Sequence, residues 1–109
     1  MLAGLLSGCG SGASAQPPTQ SPAIRTTCQQ VSAELSDGPD PGADPVGYAL
    51  AQILPLQQIH TSDSALQADV DDLATAYQEF YSSNGDKVAS KAVSKASDKV
   101  NAICPGAAS

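Results

Sequence analysis

The chain has 109 residues, with 11 acidic against 5 basic side chains, a net charge of −6, one Phe and no Trp. That balance excludes the basic surface on which nucleic-acid binders depend and argues against adhesion of the protein surface itself to anionic lipid. Beyond the N-terminal leader no apolar run approaches the roughly 20 residues that cross a bilayer, so membrane attachment would have to come from a modification.

The chain opens with a short apolar stretch from Leu2 and then Leu6-Ser7-Gly8-Cys9. This resembles a bacterial lipobox. Small residues at Ser7 and Gly8 let the backbone enter a peptidase cleft, and Cys9 supplies the sulfur nucleophile that accepts a diacylglyceryl group. The resemblance implies a truncated lipoprotein signal peptide over residues 1–8 and a mature chain that starts at a lipidated Cys9. No Lys or Arg precedes Cys9, and the apolar stretch is shorter than the ~7–15 residues of a full signal. Two alternatives therefore stay open: a translation start upstream of Met1, or a chance cysteine in a leader. Residues 9–21 continue as an uncharged Gly/Ser stretch followed by Gln16-Pro17-Pro18, the composition of a flexible-to-extended tether.

About 85 residues remain for one small domain, residues 22–105. A core this poor in aromatics calls for a covalent staple. Every ordered stretch has helical periodicity. In the first, Ile24, Cys28, Val31 and Leu35 share a face, Ser21-Pro22 forms the start and Gly38 the stop. Residues 37–44 form an acidic loop rich in Pro and Gly. Asp44-Pro45 opens a second helix, whose apolar side is expected at Val46, Leu50, Ile53 and Leu54. Pro55 is expected to kink or break it, with Leu56 and Ile59 packing beyond. The third helix carries Leu66, Val70, Leu73, Tyr77 and Phe80 in one stripe, capped by Thr61 or Ser62 and ended by Asn84-Gly85. The fourth begins at Asp86, carries Ala89, Val93, Ala96, Val100 and Ile103, and ends at Pro105-Gly106. Residues 106–109 read as a disordered tail.

The expected fold is all-α, an antiparallel up-down-up-down four-helix bundle. In that topology the start of helix one and the end of helix four share one end of the bundle. Cys28 and Cys104 lie at those two places, on or beside the apolar faces, and Cys9 would be consumed by lipid. A disulfide between Cys28 and Cys104 follows, and would stabilise the domain by roughly 4 kcal/mol. The alternative is a pair of buried free thiols.

Four of the basic residues, Lys87, Lys91, Lys95 and Lys99, recur every fourth position on helix four. They form either a candidate binding surface or a solvated face that complements the acids of helix three. His60 is the only histidine and reads as a surface residue, so no metal site is expected. Asp37, Asp40 and Asp44 read as turn and cap residues, since their spacing does not fit a calcium loop. Tyr48, Tyr77 and Tyr81 could in principle ligate haem iron, but Tyr77 and Phe80 fall in core phase. No nucleophile elbow, phosphate loop or zinc-protease helix occurs, so no enzyme and no cofactor is expected.

Leu6-Ser7-Gly8-Cys9, the Pro/Gln tether and the helical domain framed by Cys28 and by Cys104-Pro105-Gly106 together resemble small actinobacterial, mycobacterial-type lipoproteins. That resemblance implies an exported envelope protein on the outer face of the cytoplasmic membrane, with no catalytic residues. A weaker similarity is to the small secreted helical haem carriers of mycobacteria. The expected function is a lipid-anchored, non-enzymatic helical module. It would be held to the membrane through Cys9 and would bind an envelope protein or a cell-wall component. The alternative is a carrier of haem or a small apolar ligand.

Overall fold

The computed structural model describes residues 20–108, so Cys9, the signal and most of the tether lie outside the described residues. Four helices are present: α1 (Pro22–Leu35), α2 (Pro45–Gln57), α3 (Ser64–Ser82) and α4 (Lys87–Ile103). The fold is all-α, with no strand among the described residues.

Each helix starts where a side-chain oxygen takes up an otherwise unpartnered backbone N–H. Ser21 Oγ accepts from the Ile24 N–H at 3.2 Å ahead of Pro22, and Asp44 Oδ1 accepts from Gly47 at 2.9 Å ahead of Pro45. Asp86 Oδ2 accepts from Val88 at 2.9 Å. The start of α3 differs from expectation. Its cap is Asp63, whose Oδ1 accepts from Leu66 at 2.8 Å, rather than Thr61 or Ser62. A carboxylate adds charge complementarity to the helix N-terminus that a hydroxyl lacks. Thr61 braces the approach instead: its N–H donates to Gln67 Oε1 at 2.9 Å, while Gln67 Nε2 donates to the Ile59 carbonyl at 3.1 Å. At the other end of α3, Asn84 and Gly85 both have positive φ. Gly85 N–H reaches the Phe80 carbonyl at 2.8 Å and Asn84 N–H reaches Tyr81 at 3.1 Å, the paired closure of a Schellman stop.

α3 is the central element. Its closest packing is with α2 and with α4, while α1 packs more sparsely, against α2. Accordingly its buried face is wide: Leu66, Val70, Leu73 and Tyr77 form the stripe, and Ala74 and Ala76 widen it where the neighbours approach. α1 contributes Ile24 and Val31, with Cys28 and Leu35 half-buried, and α4 contributes Ala89, Ala96 and Val100, with Val93 and Ile103 half-buried.

α2 corrects the expectation. Leu50 and Leu54, assigned to its apolar side, are 50% and 66% exposed, whereas Ala49, Gln52 and Leu56 are buried. The helix is apolar nearly all round, so its sequence does not define a stripe. Nor does Pro55 break it. The helix runs on to Gln57, and the Gln58 N–H then bonds to the Leu54 and Pro55 carbonyls. Pro55 forfeits its own N–H bond, as it would anywhere in a helix interior, and only two helical residues follow it.

Two α2 side chains tie down the end of α1. The Tyr48 hydroxyl donates to the Leu35 carbonyl, and Gln52 Nε2 donates to the Asp37 carbonyl at 2.8 Å. Gly38 allows this close passage. Its φ is 99°, and a Cβ there would sit 3.1 Å from the Ala51 Cβ, a conformation and a spacing that suit glycine alone.

Cys28 and Cys104 are disulfide-bonded, with their Cα atoms 5.3 Å apart. The bond joins α1 to the residue that follows α4. Beside it Gln20 Nε2 donates to the Ile103 carbonyl at 3.1 Å, fastening the entry of the chain to the end of α4. Residues 106–108, read from sequence as part of the tail, turn back on the bundle. Ala108 N–H donates to Asn101 Oδ1 at 2.8 Å, and Ala107 and Ala108 pack against the core.

Candidate functional site

The lysine row sits entirely on exposed positions of α4. Four residues overshoot one helical turn, so each step rotates the side chain by about 40°. The row therefore winds from Lys87 and Lys91, opposite the buried Ala89–Ala96–Val100 face, round to Lys95 and Lys99 beside α3. Lys95 and Lys99 border a groove that also contains Asp72 and Glu79. Lys99 Nζ lies 3.8 Å from Asp72 Oδ2, with both side chains about half exposed. The complementary-face reading thus describes the Lys99 end of the row, and the Lys87–Lys91 end stands clear of it.

The other singled-out residues take the places their types favour. Asp44 caps α2, and Asp40 Oδ1 accepts from the Gly42 N–H at 2.8 Å within a turn. His60 is exposed in the connection between α2 and α3. Among the described residues no group of three His, Cys, Asp or Glu side chains could hold a metal, and no helix is long and apolar enough to cross a membrane.

Three of the four aromatic residues, Tyr48, Tyr77 and Phe80, assemble at one place, while Tyr81 is exposed. Tyr48 and Tyr77 meet edge to face, with ring centroids 5.9 Å apart and planes inclined by 74°. Tyr77 is buried, while Tyr48 and Phe80 are half-buried. Burial pushes the Tyr77 phenol well above its ordinary range, and the adjoining Tyr48 adds to the effect. Burial also raises Tyr48, which the hydrogen bond with Tyr77 partly offsets.

A hollow of about 200 Å³ opens beside this pair, walled by Pro41, Pro45, Phe80 and Val93 and edged by Ser90 and Ser94. Another, of about 310 Å³, lies along Leu35, Ser36 and Ala108 and shares Pro41, Tyr48 and Tyr77 with the first. The largest, about 470 Å³, is an open depression over the disulfide, next to Arg25 and Pro105. The spacing of residues does not bring the Pro41–Pro45 loop to Tyr77 or to the serine side of α4.

The chain matches no protein-family model, no curated protein and no solved structure.

Proposed function

We propose that the protein is a non-enzymatic, disulfide-stapled helical binding module, held at the outer face of a bacterial cytoplasmic membrane by lipid on Cys9, which engages an acidic surface of an envelope component. We take the helices to run up-down-up-down, in keeping with their short connections and with a disulfide from early α1 to the end of α4. The observation that carries the binding role is the segregation of charge. A chain of net charge −6 gathers four of its five basic residues in one exposed row on α4. Like charges four apart on a helix cost about 0.2–0.5 kcal/mol per pair, and within the row Lys99 is the lysine that lies within ion-pair distance of an acid, Asp72. An acidic partner would offset that cost at Lys87 and Lys91.

The test uses the full chain and poly-glutamate as an acidic probe, with binding measured by calorimetry at low and at raised salt. Wild-type binding should weaken with salt and weaken at least tenfold in the Lys87→Glu/Lys91→Glu double variant. Undiminished binding by that variant rejects the reading. Fractionation of expressing cells tests the anchor: the wild type should sediment with membranes and Cys9→Ser should be released.

A further inference from the structure

The hollow beside the tyrosine pair is unlike the well-packed side of the bundle. α2 and α4 each close on α3, but they are not among the closely packed pairs with one another. On the side left open, three large apolar side chains, Tyr48, Phe80 and Val93, remain only half covered around a common space. Opposite the rings, α4 presents Ser90 and Ser94, where longer side chains would fill the gap. Small-molecule sites have this make-up: concave, mostly apolar, with a few polar groups at one edge.

From this geometry we propose that the hollow binds a small planar aromatic molecule of one or two fused rings, carrying a polar N–H or O–H that meets Ser90 and Ser94. Size sets the class. An apolar cavity of about 150 Å³ accommodates a benzene ring, and this one, of about 200 Å³, has room for a ring or a small bicycle. A tetrapyrrole is several times larger. Shape sets the orientation. Tyr48 and Tyr77 stand nearly perpendicular, so a third ring entering between them and Val93 meets one aromatic face and one aromatic edge, the arrangements that rings favour. Polarity sets the outward edge. The Tyr48 hydroxyl is committed to the Leu35 carbonyl, and Tyr77 is buried. The exposed serine hydroxyls are left to receive the ligand's polar group. The lining of the site includes no lysine, although Ser90 and Ser94 adjoin Lys87 and Lys91 along α4.

Indole is the probe, and the protein's lack of Trp leaves indole fluorescence, excited beyond tyrosine absorption, free of tryptophan background. Titration of the full chain should show saturable binding, with a Kd on the order of 1 mM or tighter. Nuclear magnetic resonance shifts should be confined to Tyr48, Tyr77, Phe80, Val93 and their neighbours. Ser94→Phe, at an exposed position that leaves the core untouched, fills the hollow and should weaken binding at least tenfold. Asp98→Phe, on the outward side of the same helix, should not, and neither should Lys87→Glu/Lys91→Glu, so this proposal and the lysine-row reading fail separately. Unsaturable binding, shifts centred elsewhere on the wild-type protein, or equal binding by Ser94→Phe overturns the site.

Discussion

Reduction of the Cys28–Cys104 bond is the perturbation with the largest calculable effect. The two cysteines are 76 positions apart, and a cross-link closing a loop of that length lowers the entropy of the unfolded chain by about 15 cal/mol/K, or about 4.5 kcal/mol at 25 °C. Native strain subtracts from this figure, so it is an upper value. Against a total stability of about 5–15 kcal/mol for a small domain, the loss is large. At about 4–8 °C per kcal/mol for a domain of this size, the melting midpoint should fall by roughly 20–35 °C. α1 should suffer first, because it packs only sparsely on α2 and relies on Ile24, Val31 and the disulfide itself. Reduction keeps both sulfurs in place, so no cavity complicates the result. The assay is thermal melting followed by circular dichroism with and without a phosphine reductant, together with amide exchange across α1. A midpoint that moves by only a few degrees, with α1 protection unchanged, would show that packing and not the cross-link holds the first helix.

Three smaller effects follow from single side chains. Gln52 is 1% exposed and its Oε1 has no hydrogen-bond partner. Gln52→Met, which keeps the length and removes the desolvated amide, should raise stability by about 1 kcal/mol in urea titration despite the lost bond to Asp37; a clear destabilisation would contradict that balance. Asp63→Ala should cost about 1 kcal/mol as the loss of a helix cap, and Thr61→Ala less than half as much, with chemical denaturation reading both. Tyr77 makes the protein sensitive to alkali. Its folded pKa is raised above the ordinary value near 10, so above that pH the folded state holds the phenol proton more tightly than the unfolded chain, and stability falls as pH rises. Tyr77→Phe should flatten the alkaline limb of the stability–pH curve, and an equally steep limb in the variant would place the effect elsewhere.

The sequence is legible where a structural feature is settled within a few residues. The starts at Ser21-Pro22, Asp44-Pro45 and Asp86 and the stop at Asn84-Gly85 depend on bonds spanning two to five positions, and these are the boundaries that periodicity and cap chemistry anticipate. The third start shows the limit: Thr61, Ser62 and Asp63 could all cap, and the position of Ile59 and Gln67 selects the last. The candidate site is legible only in part. The lysine spacing is visible in the sequence, but the pairing of Lys99 with Asp72 depends on where α3 lies.

By itself the sequence determined an all-α fold and the stripes of α1, α3 and α4, because each rests on repeat length; it pointed to a pairing of Cys28 with Cys104 but left free thiols open, and the structure joins the two. Only the tertiary structure decided which side of α2 is buried. With apolar residues nearly all round that helix, the choice of Ala49, Gln52 and Leu56 over Leu50 and Leu54 belongs to the neighbours that press on it. It also decided that Tyr48 and Tyr77, far apart along the chain, meet edge to face beside an open hollow. No local pattern encodes such a meeting, since it arises from the way separate helices and the Pro41–Pro45 loop share space.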